Sequence, residues 1–91
     1  GGGNIDSISA QAVSMSSVGM QISIADAHKA VLIAYKVAGG NPEQYLTING
    51  NAPDDYSALS NATYMMWANT PANSILTNTG GTWGVDMIYL D

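Results

Sequence analysis

Apolar side chains alternate with small or polar ones along two neighbouring segments. In residues 18–25, every second position is apolar: Val18, Met20, Ile22 and Ile24. In residues 31–37, every second position is β-branched or aromatic: Val31, Ile33, Tyr35 and Val37. A period of two is the repeat of a strand with one buried face. Because residues 26–29 suit a turn, the pattern predicts a hairpin over residues 18–37 at the centre of the fold.

A helix over residues 23–38 competes with this hairpin. Ser23 and Asp26 have the spacing of a capping box, and the segment 24–38 contains five alanines. Gly39 and Gly40 would end such a helix. The sorting of large β-branched side chains onto alternate positions favours strands. An α+β fold with this helix is therefore the alternative.

Further strands are expected along the rest of the chain. Residues 45–48 form a short strand, and residues 62–68 form one whose large groups on both faces suit burial on two sides. Residues 74–77 and 82–90 flank the turn-forming residues 78–81, which predicts a second hairpin. Residues 4–13 add an edge strand. About seven strands predict an all-β protein with a single antiparallel β-sandwich, Ig-like or jelly-roll-like.

The expected domain organisation is simple. Residues 1–3 are three glycines, which predict a flexible start, and residues 4–91 form the single sandwich domain. The predicted core consists of the alternating apolar residues: Val18, Met20, Ile22, Ile24, Val31, Ile33, Tyr35, Val37, Trp83, Val85 and Met87.

Charge is scarce and negative in this chain of 91 residues. Two lysines and seven acidic residues give a formal net charge of −5. Nucleic-acid binding by phosphate neutralisation needs clustered basic residues, and so does attraction to anionic membranes. The sequence therefore predicts no nucleic-acid partner and no membrane partner. Because the chain has no cysteine, disulfides and thiolate metal sites are excluded.

Residue types that carry catalysis are few and scattered. His28 is the one histidine and lies in a predicted turn, which indicates a solvated loop residue. Asp54 and Asp55 are adjacent, so on an extended backbone they point apart. Residues 49–55 offer oxygen ligands but lack the spacing of a calcium-binding loop. We therefore expect no catalytic, cofactor-binding or metal-binding residue, and no enzyme.

The sparse charge points to an interface. Charged residues make up 10% of the chain, against about 25% in ordinary soluble domains. The last predicted strand is apolar on both faces, which indicates a partner beyond it. We expect interface residues at Trp83, Asp86, Ile88 and Leu90. The start of the chain, at Gly1 and Asn4, is expected to thread onto a neighbour.

Segment 77–86 contains Gly81-Thr82-Trp83-Gly84 in an Asn/Thr/Gly-rich context. It is similar to fibre segments in which such a run opens a strand. With its low charge, the chain resembles β-rich structural proteins of tailed bacteriophages, such as capsid decoration proteins, head fibres and tail-fibre domains. The resemblance implies a virion structural subunit that binds copies of itself or a larger capsid or tail protein.

A second hypothesis is a carbohydrate-binding or adhesin module of a secreted protein. Such modules stack sugars on exposed aromatic rings, here Trp67 or Trp83. Its partners would be glycans. The two hypotheses together place the protein in a virion or outside the cell.

Overall fold

The computed structural model describes residues 5–91. Its strands are β1 (Ile8–Met15), β2 (Gln21–Ile24), β3 (His28–Tyr35), β4 (Leu46–Ile48), β5 (Asp55–Ala58), β6 (Thr63–Thr70), β7 (Ser74–Asn78) and β8 (Trp83–Leu90). A one-turn 3₁₀ helix, Pro42–Gln44, precedes β4. The alternative helix over residues 23–38 is wrong, because β2 and β3 occupy that segment.

The strands form two antiparallel sheets that pack as a sandwich. The large sheet has the order β1-β8-β3-β6-β5, and the small sheet has the order β2-β7-β4. Strand β1 pairs with β8, β2 pairs with β7 and β3 pairs with β6. This nested pairing is that of a jelly roll. The fifth strand departs from that pattern, since β5 pairs with β6 and extends the large sheet. The predicted all-β sandwich is confirmed, with eight strands.

Both predicted hairpins are wrong. Strands β2 and β3 lie in different sheets, so residues 25–27 cross from one layer to the other. Residues 79–82 likewise connect β7 in the small sheet to β8 in the large one. Alternation shows which face of a strand is buried. Strands of both sheets bury a face in the same core, so alternation does not distinguish a hairpin from a crossing.

The core lies between the two sheets, and six of its twelve buried members were predicted: Ile24, Val31, Ile33, Trp83, Val85 and Met87. Its buried members are Met15, Ile24, Val31, Ile33, Leu46, Ile48, Met65, Trp67, Leu76, Trp83, Val85 and Met87. Met20, Ile22 and Tyr35 are partly buried against it. Val18 and Val37 do not belong to the core, since they are 69% and 54% exposed. Val18 lies in the turn before β2, and Val37 follows the end of β3.

Several predicted strand boundaries also change. The strand expected at residues 4–13 is β1, at Ile8–Met15, and residues 1–4 lie outside the described part. Strand β5, at Asp55–Ala58, was not predicted. The segment expected to be buried on two sides, β6, is buried on one side only, because Tyr64 is 45% exposed.

The Asn78 side chain stabilises the connection between β7 and β8 through hydrogen bonds to the backbone. The side chain is fully buried, and Nδ2 donates hydrogen bonds to the carbonyl oxygens of Met15, Ser17 and Gly81 at 3.3, 3.1 and 2.8 Å. Its Oδ1 accepts a hydrogen bond from the Gly80 backbone N–H at 3.0 Å. The two N–H groups of Nδ2 are shared among the three carbonyls, so one amide links four backbone groups at this corner of the sandwich.

Candidate functional site

The register of the large sheet brings large apolar side chains together on its outer face. Along β8, Ile88 and Leu90 point away from the core, because Trp83, Val85 and Met87 point into it. Ile88 pairs with Ala10 of β1 on one side and Leu32 of β3 on the other.

Further residues that pair across neighbouring strands extend this surface. Leu32 pairs with Met66 of β6, and Ala34 pairs with Tyr64. Leu90 pairs with Ile8 of β1. We call the surface the apolar face, and its large members are Ile8, Leu32, Tyr64, Met66, Ile88 and Leu90. Ile8 and Tyr64 are 67% and 45% exposed, and the other four are partly buried by their neighbours.

An ion pair lies beside the apolar face. Asp86 Oδ2 is 3.1 Å from Lys36 Nζ, and both side chains remain accessible to water. Surface ion pairs of this kind contribute less than about 1 kcal/mol to stability. The pair adds no net charge, so the apolar face remains electrically neutral where Asp86 borders it.

The surface is uneven. Small residues, namely Ala12, Ser14, Ala34 and Gly84, line an open, shallow depression beside the ion pair. The larger side chains of the apolar face, such as Leu32 and Ile88, lie beside this depression.

The outer face of the small sheet is different. Gln21, Thr77 and Thr47 lie side by side across its three strands, and Ser23 pairs with Ile75. Ile75 is the large apolar side chain there and is 39% exposed. Polar side chains on a solvated face are what an antiparallel sheet ordinarily carries.

The structure divides the predicted interface residues into three groups. Ile88 and Leu90 lie on the apolar face, with Asp86 beside them. Trp83 is 5% exposed and points into the core, where its ring packs edge-on against Tyr35 at 5.2 Å. Gly1 and Asn4 lie outside the described residues. The interface roles of all six residues stay predictions.

Sequence reasoning missed Leu32, Tyr64 and Met66 as surface residues. The signal was present in β6, where large side chains occupy both alternating sets of positions. That pattern has two explanations, burial on both sides or one buried and one interface face. The position of Leu32 on the outer face was not predicted, because the sequence pairs β3 with β2 in a central hairpin and not with β6 and β8.

His28 is not the solvated loop residue that the sequence predicts. It opens β3, its side chain is 11% exposed, and Nδ1 is 2.5 Å from Asp91 Oδ1. The imidazole ring stacks on Tyr89 at 4.6 Å, and burial raises the pKa of Tyr89. Ser7 Oγ approaches the other oxygen of Asp91 at 3.5 Å. The carboxylate lies between serine and histidine, so this cluster ties strand ends together and does not place a base against a nucleophile.

Neither tryptophan offers a platform for sugar stacking. Trp67 is 4% exposed, and its indole N–H donates a hydrogen bond to the Asn51 carbonyl at 3.0 Å. The Trp83 indole N–H donates a hydrogen bond to the Gly80 carbonyl at 2.6 Å. The aromatic rings that do reach the surface are Tyr45, Tyr56 and Tyr64.

The described chain offers few other features. Within residues 5–91, no three His, Asp or Glu side chains are grouped as a metal site. Over the same residues, no helix has the length and apolarity to cross a membrane. Comparison with protein-family models, with curated proteins and with solved structures finds no match to this chain.

Proposed function

We propose that this protein is a non-enzymatic assembly subunit that packs its apolar face against another protein surface, as part of a virion surface layer. The observation that carries the proposal is the apolar face itself. Solvated sheets usually alternate apolar inside and polar outside. The large sheet departs from this rule around Leu32, Met66 and Ile88, and such patches mark interaction sites.

The size of the outer face of the large sheet, part of which is the apolar face, suits a specific interface. Its five strands, spaced about 4.8 Å apart with about 3.3 Å of rise per residue, give an area of roughly 500–600 Å². Covering such an area on two partners removes roughly 1,100 Å² from water, which is at the lower limit for a biological interface. The interaction is therefore expected to be reversible for one copy and strong for an array of copies.

The virion setting rests on the strand order and on one segment of the sequence. Jelly-roll sandwiches recur in viral capsid domains and in lectins, so the strand order is compatible with both hypotheses. The similarity of segment 77–86 to phage fibre segments favours the virion. The genes beside the coding gene give a direct check. Neighbouring capsid or tail genes would support this setting, and neighbouring secreted glycosidase genes would contradict it.

Docking is tested by placing the same charge on the two outer faces. Ile88→Lys puts an ammonium in the apolar face, and the matched control Ile75→Lys puts one on the small sheet. Sedimentation velocity over increasing concentration should show association of the wild type, a lower degree of association in Ile88→Lys and the wild-type degree in Ile75→Lys. Equal behaviour of all three proteins would contradict docking through the apolar face.

Side-chain footprinting adds a second measurement on the same proteins. Hydroxyl radicals oxidise Met66 and Tyr64 when water reaches them. Their oxidation should fall as wild-type concentration rises and stay constant in Ile88→Lys. Oxidation that is independent of concentration in the wild type would mean that the apolar face stays open to water.

One observation favours the glycan alternative. Tyr64 lies on the outer face beside Ser57 of β5, and Asp55 pairs with the neighbouring Met66. A ring flanked by a hydroxyl and a carboxylate is a combination that binds sugars. A glycan array with wild type and Tyr64→Ala tests it: binding that Tyr64→Ala removes would favour this alternative over assembly.

A further inference from the structure

We propose that β1 pairs with β1 of a second copy, antiparallel, about a two-fold axis at Gln11. The pairing joins two large sheets into one ten-stranded sheet. The observation behind it is the free edge of β1, so it goes beyond docking through the apolar face and does not depend on it.

The four sheet edges differ in how well they are protected. The edges are β1 and β5 of the large sheet and β2 and β4 of the small one. Strands β2, β4 and β5 have four, three and four residues, and β5 begins with Asp55. Short length and charge are the usual protection against edge-to-edge pairing. Strand β1 has eight residues with no charge, proline or glycine, so it lacks these protections.

The backbone register shows which groups face the free edge. Ser7 and Asp91 exchange both backbone hydrogen bonds, at 3.0 and 3.3 Å. In an antiparallel ladder such pairs alternate, so the odd-numbered residues of β1 bond to β8. The even-numbered residues point their N–H and C=O groups outward: Ile8, Ala10, Ala12 and Ser14. Within residues 5–91, β8 is the strand that pairs with β1.

One register lets two copies satisfy all these groups. With Gln11 opposite Gln11 of the second copy, Ala10 lies opposite Ala12 and Ile8 lies opposite Ser14. Each pair joins two residues whose polar groups face outward, so each exchanges two hydrogen bonds. Shifting the register by two residues in either direction leaves one outward-facing residue of each copy without a partner.

The side chains along the joint are also compatible. Ala10 meets Ala12 across it, and the joint contains no like charges to repel. The even-numbered residues belong to the outer side of the large sheet. Pairing therefore makes the apolar faces of the two copies continuous, which doubles the area available to a larger partner. Such β-addition is a general mode of protein recognition.

Single cysteines test the register, because the chain has none of its own. In the proposed dimer the two Gln11 residues form a non-hydrogen-bonded pair with a Cα–Cα distance of about 4.5 Å. This lies within the range of about 4.4–6.8 Å for a disulfide. Gln11→Cys should form a disulfide-linked dimer under mild oxidation. Ser9→Cys should not, but it should cross-link to Val13→Cys when the two proteins are mixed.

Two results would overturn the pairing. One is a failure of Gln11→Cys to cross-link at high concentration. The other is cross-linking of Ser9→Cys alone at the same rate as Gln11→Cys, which would indicate random collision.

Proline substitutions test the hydrogen bonds. Ala12→Pro removes an N–H that faces the free edge, so the monomer should fold with an unchanged melting temperature. In the Gln11→Cys background it should slow cross-linking about tenfold, because symmetry removes two hydrogen bonds of the dimer. Gln11→Pro is the matched control: it removes a bond to β8 and should lower the melting temperature. A cross-linking rate unaffected by Ala12→Pro would contradict the pairing.

The same proteins separate this pairing from docking through the apolar face. Ile88→Lys in the Gln11→Cys background should still cross-link. If it cross-links but no longer forms larger assemblies, both proposals are supported. If Gln11→Cys does not cross-link while Met66 is still protected at high concentration, the pairing alone is wrong. If Gln11→Cys cross-links while Met66 is not protected at high concentration, docking through the apolar face alone is wrong.

Discussion

The two sheets share one core but differ in what they present to solvent. On the large sheet, Leu32, Met66 and Ile88 cover the outer face. On the small sheet, the corresponding positions hold Gln21, Thr47 and Thr77. The large sheet is thus apolar on both sides, which is the pattern of a sheet covered by a further layer.

The buried sides of the two sheets are more alike. Both sheets bury polar side chains, Thr63 and Thr70 in the large sheet and Ser74 and Asn78 in the small one. The small sheet shows that this fold does not need an apolar outer face. The apolar outer face of the large sheet is therefore a property of that sheet and not of the fold.

The largest expected effect separates the two faces of one strand. Ile33 and Leu32 are neighbours in β3, but Ile33 is fully buried and Leu32 lies on the apolar face. Ile33→Ala should lower the free energy of unfolding by about 2–5 kcal/mol, through lost burial and the cavity it leaves. Leu32→Ala should lower it by about 1 kcal/mol or less, because its side chain keeps contact with water. Denaturant unfolding of both variants measures this difference.

A control on the small sheet sharpens the result. Leu76 is fully buried, so Leu76→Ala should cost as much as Ile33→Ala. Equal costs for Leu32→Ala and Ile33→Ala would mean that a further layer covers the apolar face in the free protein. The comparison between exposed faces would then be wrong.

The next largest effect concerns the buried amide of the small sheet. Asn78→Ala leaves the Met15 and Gly81 carbonyls without their donor, and should lower the free energy of unfolding by about 2–3 kcal/mol. Thr77→Ala is the matched control on the outer face of the same strand and should change it by less than about 0.5 kcal/mol. If the two variants are equally stable, Asn78 does not hold the corner.

The sequence predicted the sandwich because alternation marks buried faces directly, as in β3 and β8. It did not predict which strands pair, because β2 and β7 bury their faces in the same core as their sequence neighbours. Val18 shows a second limit: the alternation of β2 extends back through it into a turn, where there is no strand. Gly19, with a φ of 88°, separates Val18 from β2 through backbone conformation, which the positions of apolar side chains do not encode.

The apolar face was predicted in part for a related reason. Ile88 and Leu90 are visible in one strand, but the apolar face exists only after β3 and β6 are placed beside β8. Leu32 and Met66 are far apart in the chain and become neighbours through pairing. The composition predicts a surface with few charges, and the strand order brings Leu32, Met66 and Ile88 together on one face of the large sheet.

A smaller effect is expected at the border of the apolar face. Asp86→Asn removes the ion pair with Lys36 and should change the free energy of unfolding by less than about 1 kcal/mol. The difference should shrink further in high salt, because exposed charges are screened. Denaturant unfolding at low and high salt measures it. A larger loss, independent of salt, would show that Asp86 is shielded from water and that the face continues past it.

The smallest effect lies on the inner side of the large sheet, at its end. Burial raises the pKa of Tyr89 above the ordinary value of 10.0, so the folded state holds this proton more tightly than the unfolded state. The resulting stability is present below pH 10 and is lost as the pH rises through the raised pKa.

Thermal melts of Tyr89→Phe and wild type should agree near neutral pH. Above pH 10 the wild type should lose stability more steeply, because the phenylalanine has no proton to release. Tyr56→Phe, at a 53% exposed position, is the matched control and should follow the wild type. If Tyr89→Phe also follows it, Tyr89 is as solvated as Tyr56, and the sandwich is open at this end.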